Sequence, residues 1–189
     1  MRKIIYWVHA SIDGHIAGPN GEFDWPTLGP ELFGYSEAMN EQVDTLLYGR
    51  VVWDMMAAYW PAADADPETT DDHARAFAPF WRQTSKVVVS RTLNKADWEA
   101  RVIGKNLAEE VAELKRQPGK DILLTGGTQV AACLTGLGLL DDCRIVIHPI
   151  VLGGGPRLFL EPKERIDMTL TDSRTFDSQT VLLRYERQE

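Results

Sequence analysis

Short runs of apolar and β-branched residues punctuate the chain at Ile4–Val8, Thr45–Tyr48, Lys86–Val89, Ile122–Thr125 and Arg144–Ile150. They are too short for helices and alternate too little for strands with one wet face, so they predict strands buried on both faces. Longer stretches between them carry helical spacing. Trp53, Met56 and Trp60 recur at intervals of three and four within Arg50–Trp60, as do Leu107, Val111 and Leu114 within Asn106–Arg116. Thr128–Leu140 is apolar almost all round, as a helix packed under a sheet is. Strand followed by helix, repeated, predicts a largely parallel sheet covered on both faces. The tail breaks this rhythm: Met168–Asp172 and Thr180–Glu186 predict an antiparallel hairpin that ends the sheet. Between the second and third runs, Ala63–Asp72 carries Asp64, Asp66, Glu68, Asp71 and Asp72 with no base, which predicts a solvated loop. No repeat, heptad or linker divides the chain, so one domain over residues 1–189 is expected.

Charge and composition then exclude several classes of function. The chain has 20 Lys plus Arg against 28 Asp plus Glu, a formal charge of −8. Proteins that read phosphate backbones carry the opposite excess, so nucleic acid is not an expected partner. No apolar run approaches the ~20 residues that span a bilayer. The start, Met1–Val8, imitates a signal peptide, but His9, Ser11 and Asp13 cut the apolar stretch short. Cys133 and Cys143 alone make neither a disulfide framework nor a thiolate zinc site. The histidines, His9, His15, His73 and His148, lack paired ligand spacing, so no metal is expected. His148, inside a strand run before Pro149, reads as a hydrogen-bonded structural histidine. There is no Gly-x-Ser-x-Gly elbow to carry a nucleophile. These features together predict a cytoplasmic, reduced α/β domain.

The chemistry on offer is anion binding. Three strand ends run on into polar or glycine-rich turns: Tyr48-Gly49-Arg50, Val89-Ser90-Arg91-Thr92, and Thr125-Gly126-Gly127-Thr128-Gln129. Free backbone N–H groups at a helix N-terminus face outward there, and glycine lets an anion approach closely. Arg50 adds a planar fork suited to phosphate. All three lie at carboxyl ends of strands, the edge where open α/β sheets bind ligands. No Gly-x-Gly-x-x-Gly or Walker pattern is present. The first strand ends in Ser11-Ile12-Asp13-Gly14-His15-Ile16-Ala17. Asp13-Gly14 is a turn pair, and the small residues and hydroxyl beside it also make a floor for a flat ring. Trp25 and Trp53 are either core residues or the walls of a pocket for a planar ligand. Glu31 falls in the first turn of an expected helix.

Five stretches carry a resemblance by their order: Ser11–Ala17, Leu47–Trp53, Val87–Arg91, Thr125–Gly127 and Ile150–Gly155. The sequence resembles the dihydrofolate reductase-like superfamily, most closely the branch of the reductase domain of the bifunctional riboflavin-biosynthesis protein and its stand-alone bacterial relatives. The resemblance covers nearly the whole chain. It implies a three-layer α/β/α sandwich with a mixed, mostly parallel sheet and NADPH lying across the strand ends. By position, Gly49, Arg50 and Val51 would hold phosphate, with Arg50 on the adenosine 2′-phosphate. Ser90, Arg91 and Thr92 would meet the adenosine half; Gly126, Gly127, Thr128, Gln129 and Val130 would carry the pyrophosphate. Ala10, Ile16 and Ala17 would line the nicotinamide. The implied reaction is hydride transfer from NADPH to a C=N or C=O bond of a small heterocyclic or sugar-derived substrate. A phosphoribosylaminouracil of riboflavin synthesis is one such substrate. Pterin reduction, or nucleotide binding without turnover, are the alternatives. Asp13 and Glu31 are the candidate acids, and Ser11, His15, Trp25 and Trp53 the candidate substrate contacts.

Two departures bear on the substrate. His15 stands where the riboflavin enzymes typically have Lys, and their Asp-Pro stretch ending in Arg has no counterpart, since Asp66-Pro67 is followed by no Arg before Arg75. A folate-type carboxylate would fall near Pro30, with Glu31 one position away. Relatives in this branch are commonly dimers, and the apolar Ile145–Leu152 run and tail strands predict a homodimer through the C-terminal part of the sheet.

Overall fold

The computed structural model describes residues 1–66, 68, 71–160 and 165–188. Its frame is an eight-stranded sheet whose first strand, β1 (Ile4–Ser11), lies deep inside. β1 is parallel to both its neighbours, β5 (Asp121–Thr125) and β6 (Asp142–His148). Beyond β5 the order runs β2 (Val43–Gly49), β3 (Ser85–Val89) and the edge strand β4 (Arg101–Ile103), all parallel. On the other side, β8 (Val181–Arg187) pairs antiparallel with β6, and β7 (Met168–Thr175) pairs antiparallel with β8. This is the mixed, mostly parallel sheet with a closing hairpin that the apolar pattern predicts.

Helices cover both faces because strand side chains alternate and both sides of the central strands are apolar. Ile5 and Trp7 of β1 face a core built with α1 (Pro30–Asn40), α2 (Arg50–Tyr59) and α3 (Asp72–Gln83). Ile4, Tyr6, Val8 and Ala10 face a second core with α4 (Leu107–Arg116) and α5 (Thr128–Gly136). Between the hairpin and β6, buried Asp142 binds the guanidinium groups of both Arg144 and Arg184.

Two elements end two or more residues short of expectation. The helix expected to reach Leu140 stops at Gly136, and the strand expected to reach Ile150 stops at His148, where Pro149 removes the next ladder donor. Two further elements are new. α3 begins at Asp72, within the stretch read as a loop, and the side chain of Asp71 just before it caps the helix by accepting from the Ala74 amide at 2.7 Å. Pro67, Thr69 and Thr70 of that loop lie outside the described residues. α3 holds Pro79 in its interior, which costs roughly 3 kcal/mol. Ala74, Ala78 and Trp81 all point inward, and Trp81 is fully buried against Trp53 at a ring separation of 6.1 Å. Burying one indole removes about 150–250 Å² from water, on the order of 4–6 kcal/mol, so the helix survives its proline. The second new element, β4, is only 3 residues long and too short to leave a pattern.

Candidate functional site

The site is the carboxyl edge of the sheet, where β1, β2, β3, β5 and β6 all end. β5 inserts between β2 and β1, and the chain then crosses β1 to form β6. Such a reversal opens a crevice between the loops that leave in opposite directions.

α2 and α5 start from the adjacent strands β2 and β5, and their N-termini converge on that crevice. Gly49 caps α2 and Gly127 caps α5; neither helix has a side-chain cap or an acid in its first turn. The leading amides of both, including those of Arg50, Val51, Thr128, Gln129 and Val130, lack intrahelical partners by helix geometry. Gly127 lies in the left-handed region at φ 70°, and a Cβ there would sit 3.7 Å from the Gly49 nitrogen. Gly126, at φ 55°, would point a Cβ at Val52, 3.5 Å away. The two glycines thus leave a bare backbone cradle between two positive helix ends. Arg50 stands on the rim, half exposed, with its Nε donating to both oxygens of Asp54 at 2.9 and 2.8 Å. Val51 is exposed beside it, Thr128 and Val130 are buried, and Gln129 faces solvent.

Past β2, the end of β3 offers a second loop. Ser90 Oγ accepts from the amides of Thr92 (3.3 Å) and Leu93 (3.0 Å), which folds the turn and leaves Arg91 and Thr92 exposed. A Cβ on Gly104 would lie 2.2 Å from the Ser90 carbonyl oxygen, so the turn packs directly on neighbouring backbone.

On the other side of the crevice the loop after β1 is laced to the loop after β6. Ile12 and Ile16 amides donate to the carbonyls of Ile150 and Pro156, and the Leu158 amide donates to Gly14. Gly155, at φ 103°, approaches so closely that a Cβ would lie 2.3 Å from the Ala17 carbonyl oxygen. Asp13 fastens the two loops: its carboxylate accepts from the amides of Leu152 (3.0 Å) and Gly153 (2.8 Å). The Ser11 hydroxyl and these two amides hold its carboxyl well below the usual carboxylate range. Ser11 is buried and its Oγ accepts from the His15 amide at 2.9 Å. His15 Nδ1 lies 3.3 Å from Asp13. Ala10 is buried at the end of β1, while Ile16 and Ala17 are half-buried in the loop.

The face of the sheet that carries α1 ends in a cluster of rings. His9 Nδ1 and His148 Nε2 are 2.8 Å apart, bridging β1 and β6, and the Thr27 amide donates to His148 Nδ1 at 3.3 Å. Trp7 and Phe23 stand edge-on to His9, at 5.5 and 6.3 Å between ring centres, and Trp25 edge-on to His148 at 5.4 Å. Neither His9 nor His148 was legible as a site residue, because their contact joins positions 139 residues apart. Only the joint placement of two histidines near the ends of two strand runs hints at it.

Three expected roles are corrected by this geometry. Trp53 is 4% exposed, wedged between Tyr48 and Trp81, and belongs to the core rather than to a ligand wall. Glu31 turns away from the crevice toward the β7–β8 turn, where its carboxylate accepts from the Asp177 amide at 2.9 Å. The Asp13 carboxylate is engaged by the Leu152 and Gly153 amides, and its geometry is that of a clip between the two loops. Among the described residues no helix is long and apolar enough to cross a membrane, and no group of three or more His, Cys, Asp or Glu is placed to hold a metal.

An α/β/α sandwich with this strand order and a bare-backbone crevice at its carboxyl edge is a dihydrofolate reductase-like fold. Residues 2–182 match the RibD C-terminal domain family, and the chain belongs to it. It is 40% identical over 187 residues to the protein YyaP of Bacillus subtilis strain 168, covering 97% of this chain and 94% of that one. Among solved structures it is similar to a protein of Shewanella sp. PV-4 named for riboflavin biosynthesis, with a TM-score of 0.76, 25% identity and 100% of each chain covered. The dihydrofolate reductase of Enterococcus faecalis, solved with NADP(H), shares the fold at a TM-score of 0.66 and 15% identity, over 99% of this chain and 97% of that one.

Proposed function

We propose that this protein is an NADPH-dependent reductase that delivers hydride to a C=N or C=O bond of a small, flat heterocycle of the pyrimidine class. The observation that carries the reading is the pair of helix N-termini, neither with a side-chain cap, meeting over Gly49 and Gly127. Two converging positive ends with no competing acid in either first turn suit a pyrophosphate. When bound, NADPH supplies the hydride. Gly126 and Gly127 admit the diphosphate to the backbone, and the amides of Thr128, Gln129 and Val130 hold it. Arg50 meets the 2′-phosphate from the rim, and Ser90, Arg91 and Thr92 flank the adenosine. Ala10, Ile16 and Ala17 form the floor under the nicotinamide. Ser11, His15 and Trp25 border the substrate, while Asp13 keeps both loops in register around it. A pterin is less well served, because Glu31 is committed to the Asp177 amide rather than to the crevice.

Calorimetric titration with NADPH tests the cofactor, and absorbance at 340 nm with a panel of pyrimidines, pterins and quinones tests turnover. Saturable NADPH binding with oxidation by a pyrimidine is the expected result. Absence of any saturable heat with NADPH refutes the proposal. We also propose that the chain pairs with a second copy through its hairpin. β7 is exposed along nearly its whole length, with Leu170 51% exposed and one edge without a partner strand among the described residues. Light scattering at micromolar concentration should give a dimeric mass, and a monomeric mass overturns the pairing.

A further inference from the structure

The hydrogens of the His9–His148 pair can be placed from their neighbours. A backbone N–H only donates, so the Thr27 amide, 3.3 Å from His148 Nδ1, meets a lone pair there. The single ring hydrogen of a neutral His148 is then on Nε2, which lies 2.8 Å from His9 Nδ1. That nitrogen of His9 must accept, which leaves the hydrogen of His9 on its own Nε2. Both rings are held neutral. Burial pushes His148 down to about 4, and burial, reinforced first by His148 and then by His73, pushes His9 down to about 3.

The chain of donors therefore runs one way, from the Thr27 amide through His148 to His9. His148 is 1% exposed and both its nitrogens are engaged. His9 is partly exposed, and no acceptor for its Nε2 is found among the described residues. Beside it stand the rings of Trp7 and Phe23, both steeply inclined to its plane, and neither carries a nitrogen or oxygen acceptor. The ring stands one residue from Ala10 and two from the end of β1, at the edge where the crevice opens.

We propose that His9 presents its Nε2–H as the fixed hydrogen-bond donor of the site, with Thr27 and His148 as positioning residues that lock its tautomer. The proposal rests on the reading that a flat ring lies at the ends of β1 and β6. It adds that this ring turns a carbonyl oxygen or an unprotonated ring nitrogen toward His9. An amino group at that point would set donor against donor. Neither histidine needs to titrate for this role, and the relay supplies an aimed N–H at neutral pH without a buried positive charge.

The test uses the ligand-free protein, so it does not depend on finding the substrate. Ring ¹⁵N–¹H correlation spectra of histidine-labelled protein at pH 7, assigned with His9→Gln and His148→Gln, report tautomer and charge. Both rings are expected as neutral Nε2–H tautomers. The Nε2–H of His9 is expected to exchange with water at least tenfold faster than that of His148, because only the former opens to the crevice. A His9 in the Nδ1–H tautomer, an imidazolium, or an Nε2–H as protected as that of His148 overturns the proposal. In folded His148→Phe, which removes the donor to His9, the single-tautomer signature of His9 should be lost; its persistence shows that the relay does not set it. Failure of NADPH to bind in calorimetry would remove the cofactor reading and leave this tautomer result standing, so the two fail separately.

Discussion

Arg50 is the residue on which the choice between NADPH and NADH should turn, and its present partner sets the size of the effect. In the free protein the guanidinium is held by Asp54 one helical turn on, with both side chains about half exposed. An exposed i,i+4 pair of this kind is worth about 0.3–0.5 kcal/mol. A charge-assisted contact to a 2′-phosphate is worth roughly 1.5–3 kcal/mol, so the phosphate wins the arginine and the net gain is about 1–2.7 kcal/mol. Arg50→Ala should therefore weaken NADPH binding roughly 5- to 80-fold while leaving NADH, which has no phosphate there, almost unchanged. Asp54→Asn removes the competitor and should tighten NADPH by roughly twofold. Calorimetric titration of both cofactors into the three proteins at fixed ionic strength measures these differences; salt must be held constant because exposed charges are screened. Equal losses for NADPH and NADH on Arg50→Ala would show that Arg50 does not read the extra phosphate and would refute the argument.

Other expectations concern the frame of the site. Asp13→Asn should lower the urea midpoint at pH 7, since two amide donors lose a carboxylate. Asp13 has a depressed folded pKa, so its contribution is complete above the ordinary carboxylate range near 4 and fades as pH falls below it. The midpoints of wild type and Asp13→Asn should converge on strong acidification, and a gap that widens there would contradict this. Gly127→Ala meets no close contact but forces a Cβ into the left-handed region, a cost of roughly 1–2 kcal/mol. Its thermal midpoint should drop by about 2–8 °C; no change would mean that the cradle relaxes freely. Asp142→Ala strands the two arginines that Asp142 joins beneath the hairpin and should cost about 3–5 kcal/mol in urea unfolding, against under 1 kcal/mol for an exposed pair.

The strands and most helices were legible because their signals are local. Ile122–Leu124 and Val87–Val89 are apolar on both faces, and only a covered parallel sheet explains that. α3 was hidden by Pro79 and by the acids before it, and it emerges only because Trp81 finds Trp53 across the core. The bare-backbone turns at Gly49 and at Gly126-Gly127 were legible for the same local reason, as glycine after a strand carries its own backbone meaning. The ring cluster was not. His9, Thr27 and His148 belong to three separate segments, and their chemistry comes from contact alone. The partners of Asp13 and Glu31 were hidden similarly, because each meets backbone amides more than a hundred positions away.

The position of β1 has a consequence for how the chain is made. Its partner β5 begins 118 residues further along, where Lys3 meets Asp121, and β6 follows later still. At roughly 5–20 residues per second, a ribosome needs about 6–24 s to deliver the first of these partners. Throughout that interval the apolar run Ile4-Ile5-Tyr6-Trp7-Val8 has both edges unmatched. β1 thus leaves the ribosome long before either strand that flanks it in the sheet. A truncated or stalled product lacking β5 and β6 would expose this segment permanently and should aggregate or engage holdase chaperones, whereas full-length chains escape once residues 121–148 emerge.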